Sequence, residues 1–416
     1  MFTSCRRGRF RALLVILTAL PFLFVLSCSR DTDQRSSSDG APLQDVLTLE
    51  YSFGAEDIPD DYLLVDPHWF GLAIHPDGNL LVADENWIKV FDPDGQPVQR
   101  FGGTGAGPGE FRWARYLYMS PEGYLCVFGG RMGFTAHFFR PDFSYIERVD
   151  YFSVQPYRDI LDSLDLRTDR PESVWCLGED ERLLVVGTQD RDSNNLEHRE
   201  VFLFHLVGNT LTVLARYQQT DALYGQYGPV VSMDALGKLL AAPLPDGRAV
   251  YLHTFHDSRQ GGEELQYTLT LIDLESGQRE TLSHSYELYE LTWTRPLPNE
   301  ELRERDPEQF RQWEEQWDLV DEGIAERHWS VPVLGIETDG PFIFVFTSAK
   351  NDSGEVLTDV FNADERSYVG SAWFLGDYYG VRIADACLYK FNEFRVEDDF
   401  PRVDKYRIDP RVYGRR

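Results

Sequence analysis

The chain has 416 residues, 42% of them hydrophobic and 14% aromatic, and a formal net charge of −29. That composition lies near the globular norm, so a large core is attainable, and the aromatic content favours strands. The charge argues against nucleic acid and anionic membrane surfaces as partners, because a field of that sign repels both.

In chain order, the first segment is basic and then apolar. Arg6, Arg7, Arg9 and Arg11 precede the run Ala12–Leu26, which is broken by Pro21 and short for a membrane span. This is the layout of a secretory signal peptide. It ends in Val25-Leu26-Ser27-Cys28, which resembles the bacterial lipobox, a small residue before a cysteine that is acylated and becomes the new N-terminus. Leu26 is bulkier than the usual occupant of its position. The resemblance implies that 1–27 is a lipoprotein signal peptide and that Cys28 carries lipid. The protein would then be held to the bacterial cell envelope by that anchor alone, facing periplasm or exterior. Ordinary cleavage nearby, or an uncleaved anchor, are the alternatives. Removing 1–27 takes away four arginines and no acid, so the mature chain is more acidic still. Residues 28–45 are polar and Ser/Asp-rich, and read as a flexible tether.

Beyond Cys28 the cysteines are Cys126, Cys176 and Cys387. No CxxC occurs, so neither a zinc ribbon nor a thioredoxin-like site has support. Their spacing shows no disulfide framework, and one pair plus a free thiol stays open.

From Val46 the pattern changes to short apolar runs separated by turn residues. Gly71–Gly102 reads as four strands, with hairpin turns at Asp77-Gly78 and Asp94-Gly95. LYMSPEGYLCVFGG (117–130) repeats its first half, and AHFFRPDFSYIERV (136–149) its second. Such self-similarity points to a repeat architecture. Weaker copies begin at Val174, Lys238, Val331 and Val381, and the last is one strand short. Val46–Phe53 supplies the missing strand, which closes the ring and removes free sheet edges. The expectation is an all-β fold: a six-bladed β-propeller of four-stranded antiparallel blades over 46–416, closed by its N-terminal strand.

One segment breaks the pattern. Over 300–327, Phe310, Trp313, Trp317, Val320 and Ile324 recur at helix spacing. Asp306 suits the N-cap, Pro307 the first helical position, and Gln309 completes a capping-box-like pattern. An amphipathic helix is therefore inserted before the fifth blade. Its aromatic face packs on the propeller, or serves as a lid or partner surface.

On PDGNLLVADENWIKVFDPDG (76–95) and FGGTGAGPGEF (101–111), the first two units resemble the NHL-type repeats of six-bladed propellers. The glycine-rich string ending in Pro-Gly-Glu-Phe before a new blade is a recurrent feature of that family. The resemblance is specific over 71–149 and fades to strand pattern beyond. With the lipobox, it implies a bacterial six-bladed propeller lipoprotein. The chain departs from the pattern where Trp113-Ala114-Arg115 replaces a frequent proline, and at Trp87 in a central turn.

FGGTGAGPGEF is not a phosphate loop. No glycine in it is followed by lysine, and a GxGxxG register meets Pro108 or Glu110 where the third glycine belongs. It reads as the joint between two blades. His253 and His256 look like a pair, but an odd separation in a strand AVYLHTF puts them on opposite faces. His75 and His137 read as structural or solvated. Segments leading into inner strands ring the channel mouth, and there stand His68, Trp69, Arg112, Trp113, Arg115, Tyr227, His328 and Trp329. Aromatics with a few polar groups make a ligand-binding lining. The alternative is that the tryptophans are core and the rest ordinary loop residues.

No serine-histidine-aspartate order, HExxH or GxSxG stands out. The expected role is a non-catalytic binding or scaffolding module, monomeric, with a protein or small extracellular ligand as partner. Extracellular glycan or peptide recognition is one alternative. The other is a metal-dependent lactonase- or lyase-like enzyme, which related folds permit; calcium or zinc in the channel has no motif behind it here.

Overall fold

The computed structural model describes residues 40–54, 58–129, 135–150, 159, 162, 166–190, 199–219, 222–225, 228–232, 237–259, 265–287, 303, 305–325, 331–376, 380–392 and 401–415. The expected signal peptide, Cys28 and most of the tether lie outside them.

The first strand, β1 (Leu47–Phe53), belongs to the last blade. Blade I is β2 (Pro67–Ile74), β3 (Leu80–Asp84), β4 (Trp87–Phe91) and β5 (Pro97–Gly102). Blade II is β6 (Ala114–Met119), β7 (Leu125–Gly129), β8 (Thr135–Phe139) and β9 (Tyr145–Asp150). Blade III is β10 (Leu166–Cys176), β11 (Glu181–Asp190), β12 (Arg199–Val207) and β13 (Thr210–Gln219). A separate hairpin, β14 (Ala222–Gly225) and β15 (Gly228–Ser232), stands where the sequence suggested only a loop. Blade IV is β16 (Leu239–Leu244), β17 (Arg248–His253), β19 (Gln266–Asp273) and β20 (Arg279–Ser285), with the short β18 (Ser258–Arg259) beside β19. Blade V is β21 (Val333–Asp339), β22 (Phe342–Lys350), β23 (Val356–Asn362) and β24 (Ser367–Phe374). Blade VI is β25 (Val381–Ala384), β26 (Cys387–Asn392) and β27 (Arg402–Ile408), completed by β1. That closure runs antiparallel from Leu47 opposite Ile408 to Phe53 opposite Val403.

The middle strands are apolar almost throughout because both of their faces are covered. Leu80 and Val82 point toward blade VI, whereas Leu81 and Ala83 point toward blade II. Side chains that alternate along a strand thus serve two neighbouring cores. Among the described residues six such clusters occur, one at each junction between consecutive blades, including VI with I. Burial of this kind, at about 25 cal/mol per Å² of apolar surface, is the main force holding the ring.

FGGTGAGPGEF is the joint between blades I and II. Gly102 and Gly103 take φ of 104° and 106°, a region that a side chain makes costly. The Phe111 amide donates to the Gly103 carbonyl at 2.8 Å, and the Gly107 amide to Glu110 Oε2 at 2.8 Å. Phe111, 1% exposed, wedges into the core between the two blades. Several of the loop's amides are therefore satisfied by the loop itself, as a connector requires.

The inserted helix is α1 (Pro307–Ala325), which begins at the residue the sequence suggested. Asp306 caps it, with Oδ1 accepting from the Gln309 amide at 3.0 Å. Phe310 is buried, Trp313 and Trp317 are half-buried, and the helix lies against the β14–β15 hairpin. Cys126, Cys176 and Cys387 are buried free thiols, so the pair left open by the sequence is not formed.

Candidate functional site

Each inner strand begins on one face of the ring, here the upper face, and runs to the other. The six of them, β2, β6, β10, β16, β21 and β25, enclose a channel of about 550 Å³. Apolar side chains such as Ile74, Leu240, Ile336 and Ile383 make much of its wall.

The polar groups in the wall mostly bind one blade to the next. Arg382 Nη1 meets Glu337 Oε1 at 2.9 Å, and Arg382 Nε donates to the Leu72 carbonyl at 3.0 Å, tying blades V, VI and I together. Burial pushes the Glu337 carboxyl up, against the pull of Arg382. The Tyr118 hydroxyl donates to the Glu172 carbonyl at 3.0 Å, joining blades II and III. Toward the lower end, Asp339 accepts from the Asp385 and Ala386 amides, both at 3.0 Å, and from the Tyr413 hydroxyl at 2.7 Å. Burial raises the Asp385 carboxyl, and the Asp339 charge raises it further.

At the upper end the inner strands are irregular. In β2 the pairing slips between Pro67 and Leu72, so His68, Trp69 and Phe70 stand in the irregular stretch. In β6 it slips between Ala114 and Tyr116, which leaves Arg115 unpaired. Bulges also interrupt β10 at Glu172 and β21 at Leu334. A bulge re-aims side chains that regular pleating would alternate.

Two supports hold this upper end. The Asp84 carboxylate accepts from the Asp66 amide at 2.7 Å and the Val65 amide at 3.1 Å, and pairs with Lys89 Nζ at 2.5 Å. This fixes the segment that delivers His68. Gly129 lies opposite Ala114, and a Cβ there would stand 1.9 Å from the Trp113 carbonyl oxygen. Only glycine lets the Trp113 backbone pass.

The sequence-derived mouth residues are brought together in part. The His68 ring lies 5.0 Å from Tyr116 and 5.8 Å from Phe70, the two aromatics that open the channel wall. Phe70 and Tyr116 stack at 5.4 Å. Burial, then the Arg115 charge, lowers His68 to about 4, so it is neutral at pH 7. The Arg115 guanidinium sits 3.7 Å above the Trp113 ring. Trp69 and Trp113 remain 41% and 38% exposed, and Arg112 is exposed. They are therefore not core residues. Tyr227, His328 and Trp329 lie outside the described residues. Sequence reasoning missed Phe70, Tyr116, Glu337 and Arg382. Only the polar Glu337 and Arg382 inside short apolar strands offered a signal.

The histidine pair corrects an expectation. His253 ends β17, and His256 lies in the turn that follows, not in the strand. Their rings are 4.6 Å apart. His253 Nδ1 accepts from the Phe255 and His256 amides, and Asp257 accepts from the His253 amide at 2.7 Å, so side chains build the turn. Burial, then His256, lowers His253 to about 3. His75 and His137 are buried. Among the described residues no group of three or more histidine, cysteine, aspartate or glutamate side chains converges as a metal site would need. Among them, too, no helix is long and apolar enough to cross a membrane.

No family model matches the chain, and no curated protein matches it. Solved structures do. A candidate exported protein from Bacteroides fragilis is 12% identical, with 89% of this chain and 97% of that one covered and a TM-score of 0.46. A candidate gluconolactonase is 12% identical over 88% and 96%, with a TM-score of 0.36. The β-propeller domain of the trilobed protease from Pyrococcus furiosus, described as having an open velcro topology, is 10% identical over 85% and 84%, with a TM-score of 0.32. These scores are low, and the strand pairing itself carries the fold. The protein is a six-bladed β-propeller.

Proposed function

We propose that the protein is a non-catalytic binding module of the cell envelope, with its ligand or partner at the upper mouth of the channel. The observation behind this reading is the pair of exposed indoles, Trp69 and Trp113, with Arg115 laid on the second, at bulged strand ends above a largely apolar channel. Exposed tryptophans in a concave, partly polar setting are characteristic of binding surfaces. The basic, then apolar, leader ending in Ser27-Cys28 supports lipid anchorage, and the repeats over 71–149 support kinship with NHL-type propellers.

The test uses the full chain in detergent, immobilised and exposed to an envelope extract. The wild type is expected to retain a ligand that Trp69→Ala/Trp113→Ala releases. Equal retention by both would move the site away from the mouth, and stoichiometric calcium or zinc in the purified protein would favour an enzyme.

A further inference from the structure

At the upper mouth, where Asp66 also lies near His68, stand two arginines of a strongly acidic chain, which has 69 acidic against 40 basic residues. Many of its guanidiniums are engaged by carboxylates: Arg100 with Asp61 at 3.0 Å, Arg182 with Glu147 at 2.9 Å, and Arg216 with Glu200 at 2.8 Å. Arg112 and Arg115 are not. Among the described residues neither meets a carboxylate, and the two flank Trp113. Four large apolar side chains are also open on this face: Val65, Trp69, Trp113 and Phe255. The other exposed ones, Leu49, Val98, Val207 and Val213, sit on third or outer strands.

We infer that the mouth takes an acidic glycan, with a carboxylate-bearing sugar ring against Trp69 and Trp113 and its carboxylate on Arg115 and Arg112. This rests on the binding role proposed above and specifies the ligand of that site. A carboxylate matches the planar fork of a guanidinium, which donates two parallel hydrogen bonds. Stacking on Trp113 already orders Arg115, so less freedom is lost when the pair forms. The chain as a whole repels anions, so an anionic ligand is directed to the place where Arg112 and Arg115 meet no carboxylate among the described residues. A pyranose presents an apolar C–H face that packs on an indole while its hydroxyls stay in water. A peptide bound by strand addition instead asks for an open strand edge to satisfy its main chain. This face offers loops and strand ends, and the outer edges of the blades lie away from it.

The full chain in detergent would be screened on an array of acidic oligosaccharides, neutral oligosaccharides and glutamate-rich peptides. The best acidic oligosaccharide would then be titrated beside its carboxyl-reduced form. Carboxylated sugars are expected to bind, and reduction of the carboxyl to weaken binding about tenfold or more, the scale of a charge-assisted hydrogen bond. Arg112→Ala/Arg115→Ala should cause a loss of the same order without changing the unfolding midpoint. Arg115→Lys, which keeps the charge and loses the fork, should lose most of it as well. Neutral sugars binding equally, peptides binding alone, or indifference to both arginine variants would overturn the inference. An empty array beside tryptophan-dependent retention from the extract would overturn it too, yet leave the binding role standing.

Discussion

Lys89 and Asp84 show how much the upper face relies on single side chains. Both are buried, and Asp84 also receives two backbone amides. Lys89→Met strands a buried carboxylate, and breaking such pairs costs roughly 3–5 kcal/mol. Chemical denaturation should register a loss of that size, and adding Asp84→Asn should restore part of it. A second expectation concerns acid. Burial, then the Arg148 charge, lowers His137 to about 4 from 6.5. Among the described residues its Nδ1 has no hydrogen-bond partner, and the Phe111 ring stands 5.0 Å away. As pH falls through 6.5 the unfolded chain takes up the proton first, so stability drops toward about 4 and this contribution then levels off. His68 and His253 act in the same direction. The unfolding midpoint should be lower at pH 5 than at pH 7, and His137→Phe should narrow that gap. The same scale explains what stayed hidden in the sequence. No glycine or proline marks the turn after His253; Asp257 and the His253 ring build it, so the strand looked longer than it is. Glu337 and Arg382 are 45 positions apart on different blades, and no single strand announces their meeting.

Elements were more legible than sites. The Asp-Gly turns, the restarted strand pattern and the helix period are local properties, and each produced the element expected. Counting strands predicted the closure by β1, because a blade one strand short leaves an open edge. Bulges were illegible because a slip in register belongs to two strands together, and these bulges carry Arg115 and Glu172. The β14–β15 hairpin was missed for its brevity. Its place beside α1 gives a prediction at this scale. Trp313 and Trp317 meet edge to face along the helix, their rings 6.1 Å apart, next to the buried Phe310. Trp313→Ala/Trp317→Ala should lower stability by a few kcal/mol, as truncation of packed aromatics does. Unchanged stability would mean that the helix keeps this face for a lid or partner.

For the molecule as a whole, charge and closure dominate. At −29 the folded ring concentrates like charges that the unfolded chain spreads apart. The screening length falls to about 3 Å at 1 M salt. The unfolding midpoint should therefore rise between low and molar salt; a fall would indicate that attractive ion pairs outweigh the repulsion.

Closure has a temporal side. The partners Leu47 and Ile408 stand near opposite ends of the chain. At about 5–20 residues per second, a ribosome takes some tens of seconds to travel between them. During that interval β1 has no mate, and its backbone donors and acceptors are a template for any passing strand. The pairing that covers the edge of β27 in the finished protein is thus the last thing its biogenesis can deliver. A folding factor that shelters the N-terminal strand until the final blade emerges would act at this step.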